Sequence, residues 1–159
     1  MNEEEISNCS DFEDDGGDRF ERYTDFHDGY AVGIYCDKYS NGKKAYALAV
    51  IDREFNVTIS DETGPYIRTY GDNVIGIYSD GLIYCNGVFY DLGFNPVLDI
   101  SGKDWGNVYG KINIYAPFFK DGVCTMITEK NGKYWWFKID KSGEMLTPVE
   151  EFDLNLLNY

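Results

Sequence analysis

The sequence predicts an all-β protein made of three degenerate antiparallel β-meander repeats, and three observations lead there. Aromatic residues make up 17% of the chain, with fourteen Tyr and ten Phe, and β-branched residues recur in short alternating runs, a pattern that suits pleated strands. Seventeen Gly punctuate those runs. Asp-Gly and Asn-Gly turns recur at corresponding places from about residue 23 onward, so one unit is written three times. With 159 residues and 43% hydrophobic content, one core forms without help from disulfides or metal.

Residues 1–22 carry nine acids against Arg19 and Arg22 and include Gly16-Gly17. Apolar residues are too isolated there to bury periodically, and a flexible acidic arm is expected. The alternative is that Ile6, Phe12 and Phe20, spaced among carboxylates that include Asp14 and Asp15, form a docking segment that orders on a basic partner. The repeat domain follows over residues 23–159, with copies at about 23–62, 66–101 and 114–148.

The first copy reads Phe26-His27-Asp28-Gly29-Tyr30-Ala31-Val32, a turn at Asn41-Gly42-Lys43, and a run from Ala45 to Ile51 closed by Asp52. The second opens at Tyr70-Gly71-Asp72-Asn73-Val74-Ile75, turns at Ser79-Asp80-Gly81 and Asn86-Gly87, and closes at Asp91. The third reads Phe119-Lys120-Asp121-Gly122-Val123, turns at Asn131-Gly132, and closes at Asp140. Opening and closing Asp are nineteen positions apart in the second and third copies, whereas Asp28 to Asp52 is five longer. Asp and Asn bond their own turn backbone and Gly accepts positive φ, so each unit is a meander of turn, strand, turn and strand. A third short strand is expected at Val57–Ser60, Val97–Ile100 and Met145–Thr147. Near the end, Thr147-Pro148-Val149-Glu150 carries helix-start signals, and a terminal strand across Phe152 and Leu154 competes with a short helix.

These units resemble the WG-repeat family, best in the third copy, from Phe119-Lys120-Asp121-Gly122 through Gly132-Lys133-Tyr134-Trp135 to Ile139-Asp140-Lys141-Ser142-Gly143. Trp136 stands where the family has Gly, and Arg53-Glu54-Phe55-Asn56 replaces its Lys-x-Gly in the first copy. The resemblance implies a β-hairpin repeat architecture used for binding, and it supplies no catalytic residues. The copies would form a closed barrel-like or propeller-like body or a short open solenoid.

His27 is the single histidine, and it occupies a turn position where the other copies have Gly71 and Lys120, so a surface role is expected. Asp28, Asp72 and Asp121, with Asp52, Asp91 and Asp140, could supply paired carboxylates for glycoside hydrolysis. A catalytic pair is needed once, whereas a turn Asp is needed in every copy, which favours turn chemistry. Cys9, Cys36, Cys85 and Cys124 show no paired spacing and read as reduced thiols. No metal or cofactor motif is present.

Lys133 to Lys138 alternate as a strand, placing Trp135, Phe137 and Ile139 on one face and Tyr134, Trp136 and Lys138 on the other. One face is core; the other, with Trp105 and Tyr109, is the candidate recognition surface, because Trp and Tyr anchor interfaces. The net charge of −14 disfavours nucleic acid and anionic membranes as direct partners and favours a basic protein. No apolar leader follows Met1, and no run is long enough to span a bilayer, which predicts a cytoplasmic chain; a secretory signal already removed is the alternative. The expected role is a non-enzymatic protein-binding module, in one version an inhibitor or immunity-type protein covering a basic partner. The alternatives are carbohydrate binding through Trp105, Tyr134 and Trp136, or a carboxylate-based hydrolase.

Overall fold

The structure is a computed structural model that describes residues 19–38, 44–61, 64–67, 73–110, 115–153 and 155. It is all-β, with three small antiparallel sheets. The first holds β1 (Arg19–Tyr23), β2 (Tyr30–Lys38), β3 (Lys44–Asp52) and β4 (Val57–Ile59) in that order. β2 and β3 form the long hairpin, in register from Tyr30 opposite Asp52 to Lys38 opposite Lys44. Alternation puts the pairs Val32–Val50 and Ile34–Leu48 on one face, and these four side chains are buried together. The acidic segment expected over residues 1–22 overlaps β1, which pairs with β2 through a bulge between Phe20 and Arg22. Residues 1–18 and the tip Asn41-Gly42-Lys43 lie outside the described residues.

The second sheet is a compact meander of β5 (Ile83–Cys85), β6 (Val88–Tyr90) and β7 (Pro96–Asp99). The third sheet contains β8 (Asn107–Val108), β9 (Phe119–Lys120), β10 (Val123–Lys130), β11 (Lys133–Asp140) and β12 (Glu150–Phe152). Its order is β12-β11-β10-β8, with β9 also on β10. The competition at Pro148 is won by the strand: Glu150, Glu151 and Phe152 pair with Trp136, Trp135 and Tyr134. The third strand expected at Met145–Thr147 shrinks to one bridge between Met145 and Ile139.

Turn geometry corrects the register of the second unit. Positive φ at two successive residues, the requirement of a two-residue hairpin turn that matches strand twist, occurs at the Asn-Gly turns Asn86-Gly87 and Asn131-Gly132 and at three Asp-Gly turns, Asp28-Gly29 (48°, 89°), Asp80-Gly81 (56°, 83°) and Asp121-Gly122 (52°, 81°). The counterpart of Asp28 is therefore Asp80, not Asp72, which lies outside the described residues. Asp80 to Asp91 spans eleven positions, and the middle hairpin is correspondingly short. The segment before it runs along β5 irregularly, with Ile75 bridged to Cys85 and the Val74 N–H donating to Oδ1 of Asn86 at 2.9 Å.

The closing aspartates share one loop. Oδ1 of Asp52 accepts from the N–H groups of Glu54 and Asn56, that of Asp91 from Gly93 and Asn95, and that of Asp140 from Ser142 and Glu144, all between 2.9 and 3.1 Å. Each loop also has a positive-φ residue three places after the Asp: Phe55, Phe94 and Gly143.

Two clusters form the core. Val32, Ile34, Leu48 and Val50 of the first sheet meet Ile83 and Cys85 of the second, with Ile67 and Ile75. Leu82, Tyr84 and Phe89 beside and within the second sheet meet Phe119, Cys124, Met126, Phe137 and Ile139 of the third. Successive residues of β5 thus point to different clusters, as strand alternation requires, and the middle sheet is covered on both faces. Phe89 meets Tyr84 and Phe119 edge-on, with centroids 5.1 and 4.8 Å apart, contacts worth about 0.5–1.5 kcal/mol each beyond their buried area. Cys85 and Cys124 are buried thiols outside any disulfide, and burial pushes the Cys124 thiol up to about 12. Cys36 departs from the expected reduced state and is disulfide-bonded.

The three Asp-Gly turns also touch. Asp80 sits between the others: its N–H donates to Oδ2 of Asp28 at 3.3 Å, and its own Oδ2 accepts from the Gly122 N–H at 2.8 Å and pairs with Nζ of Lys141 at 3.2 Å. Nδ1–H of His27 donates to the Tyr78 carbonyl at 2.9 Å. His27 is thus a half-buried link between the first turn and the middle unit.

Candidate functional site

The outer face of the third sheet brings together most of the described aromatic candidates. The β10–β11 register places Val123–Asp140, Thr125–Lys138, Ile127–Trp136 and Glu129–Tyr134 on one face, and Cys124–Ile139, Met126–Phe137 and Thr128–Trp135 on the other. Cys124, Met126, Thr128, Phe137 and Ile139 are buried, so the second set faces the core and the first faces out. This is the alternation expected from the sequence of β11.

Tyr109 joins that outer face. Its N–H donates to the Ile127 carbonyl at 2.8 Å, which carries the chain past β8 along β10. Its ring lies edge-on to Tyr134 at 5.3 Å and stacks on Tyr115 at 6.4 Å. Trp136, opposite Ile127, is half-buried beside this cluster. Trp105 stands apart: its ring meets Phe137 edge-on at 5.0 Å, on the core side, and Nζ of Lys103 lies 5.8 Å from its centroid. Trp105, Tyr134 and Trp136 therefore do not form one platform. The neighbouring Gly106 has a φ of 89°, and a Cβ there would sit 2.3 Å from the Glu129 carbonyl oxygen, so the Trp-Gly pair is a loop fitted against β10. Phe12, Asp14 and Asp15 lie outside the described residues.

Next to the tyrosines is a groove of about 410 Å³, lined by Tyr115, Ala116, Phe118, Lys120, Asp121, Val123, Thr125, Ile127 and Lys138. Its floor is the stretch of β10 between the parts that β8 and β9 cover. β8 covers Thr128 and Glu129, β9 covers Val123 and Cys124, and no described residue pairs along that edge at Thr125 and Met126. Tyr115 is both a wall of the groove and a member of the ring cluster, so the two are continuous. Thr125, Ile127 and Lys138 are legible as outer-face residues from strand alternation. Tyr115, Ala116 and Phe118 come from an irregular segment with no periodicity to place them.

The recurring carboxylates serve the turns. Backbone N–H donors, with Asn56, Asn95 or Ser142 side chains, hold Asp52, Asp91 and Asp140 below the usual aspartate value, and hydrogen bonds from Gly122 and Lys141 do the same for Asp80. The groove lining itself holds one carboxylate, Asp121, not the facing pair that glycoside hydrolysis uses. Among the described residues, no three His, Cys, Asp or Glu side chains are grouped to hold a metal ion, and no helix is long and apolar enough to cross a membrane. No protein-family model, curated protein or solved structure matches the chain.

Proposed function

We propose that this protein is a non-enzymatic protein-binding module whose recognition surface is the outer face of the third sheet. The observation that carries this reading is the Tyr109–Tyr115–Tyr134 cluster, beside Trp136 and running into the groove. Tyr and Trp offer large, rigid contact area at low entropic cost, which makes them interface anchors. Glu129, Asp140 and Glu150 share the same face, and the net charge of −14 steers a basic partner toward it. An inhibitor or immunity-type protein that covers a basic surface fits this combination. The shared turn and loop geometry supports reading the three sheets as degenerate WG-like copies layered as a short open array.

The test is capture of partners by the immobilised full chain from its native cell extract, followed by titration of the partner recovered. Affinity is expected to fall by about tenfold or more in Tyr134→Ala/Trp136→Ala. It is also expected to fall as salt rises from about 0.1 M to about 1 M, where screening shortens from about 10 Å to about 3 Å. A partner whose binding ignores both the double variant and salt would overturn the proposal.

A further inference from the structure

The described cations divide unevenly. Arg53 lies over the Phe26 ring at 5.3 Å and Lys103 over Trp105, while Lys130 pairs with Asp104 at 3.1 Å, Lys133 with Glu151 at 4.0 Å and Lys141 with Asp80 at 3.2 Å. Among the described residues whose side chains are placed, the two cations with no such partner are Lys120 and Lys138, and both line the groove. In a chain with 28 acids against 14 Lys and Arg, two such cations stand on one apolar cleft, with Asp140 opposite Val123 at its edge. Asp121 is the single carboxylate of the lining, so the groove carries a formal charge of +1.

We infer that the groove binds an extended acidic peptide segment of a partner protein, seating an aliphatic or aromatic side chain on Val123, Thr125 and Ile127 and a neighbouring carboxylate between Lys120 and Lys138. Tyr115 and Phe118, 44% and 40% exposed, are the walls that such a side chain would cover. The apolar floor supplies burial, and the lysines supply charge-assisted contacts that a neutral or cationic peptide cannot use. The volume suits one large side chain and its neighbours rather than a folded surface. Asp121 at the Asp-Gly turn repels a second carboxylate at that end and so sets the direction of the segment. The inference deepens the proposed binding role and rests on it in using the same face: the partner is basic as a whole, and the segment that enters the groove is a local acidic stretch of it.

Fluorescence anisotropy with the full chain tests it, using a labelled octapeptide with Leu-Phe flanked by Asp and Glu, a twin with Asn and Gln, and a twin with two Lys. The acidic peptide is expected to bind about tenfold tighter than the amide twin, and Lys120→Glu or Lys138→Glu to weaken it by roughly fivefold or more. Lys138→Arg is expected to retain binding. Both lysines are exposed, and an unchanged thermal midpoint confirms that the variants fold. The inference is overturned if the acidic peptide does not bind at millimolar concentration, if either twin binds as well, if charge reversal changes nothing, or if free 3-phenylpropionate competes as strongly as the peptide. Such a failure leaves dependence on Tyr134 and Trp136 intact, whereas failure of the wider binding role leaves this titration unaffected.

Discussion

Thr128 is fully buried on the core face of β10, and its hydroxyl has no hydrogen-bond partner. A buried hydroxyl without a partner carries its desolvation cost uncompensated. Thr128→Val, which keeps the shape and the β-branch, is expected to raise stability by about 1 kcal/mol, read as a higher urea midpoint with unchanged slope. Phe55 and Phe94 make a sharper comparison. Both take the positive φ that the third unit gives to Gly143, but Phe55 is 75% exposed whereas Phe94 packs against the first core cluster. Phe55→Gly is expected to gain about 0.5 kcal/mol by releasing left-handed strain, and Phe94→Gly to lose about 1–2 kcal/mol of packing. Thermal midpoints moving in opposite directions would show it. The recurrence of Asp in sequence announces these loops; which aspartate opens the middle unit is hidden, because Asp72 and Asp80 are equally good turn residues by type, and the turn at Asp80-Gly81 shows itself only in its backbone geometry.

At the scale of elements, the hairpins are the most legible part, since Asn-Gly and Asp-Gly between alternating runs have few other uses. β1 is the opposite case: Arg19–Tyr23 has the composition of the acidic arm and becomes a strand by pairing with β2, a tertiary decision that local sequence does not announce. The outer face of the third sheet follows the same division. Period-two alternation in β11 places Tyr134 and Trp136 on the outer face, while the groove depends on the wall of Tyr115, Ala116 and Phe118, which has no such period. Elements also meet where no side chain intervenes. A Cβ on Gly76 would lie 2.1 Å from the Pro117 carbonyl oxygen, so the approach to β5 and the approach to β9 touch backbone to backbone. Gly76→Ala is expected to cost about 2–3 kcal/mol, because backbone rather than a flexible side chain must yield; a lowered thermal midpoint with retained β circular dichroism is the readout.

For the whole molecule, acid is the informative stress. Asp52, Asp80, Asp91 and Asp140 all titrate below the ordinary aspartate value in the fold because donors hold their charged forms. The stability they contribute is fully present above the unfolded value and is lost as pH falls through the depressed folded values. Urea midpoints are expected to hold from neutral pH down to the upper edge of the carboxylate range and then fall. Asp140→Asn, which keeps an acceptor but cannot titrate, should shallow that fall. Loss of the Asp80 contacts matters most widely, since they join turns from all three sheets.

The middle sheet lies under a roof on each side, and this restricts how the protein can vary. A longer middle hairpin would have to fit two neighbours at once, whereas the outer sheets each answer to one. The lengths agree: eleven positions between the middle aspartates, against nineteen and twenty-four in the units beside it. On the aromatic side of the third sheet, no further sheet lies among the described residues. A partner seated on Tyr134 and Trp136 would stand to the third sheet as the third stands to the second, a fourth storey supplied by another chain.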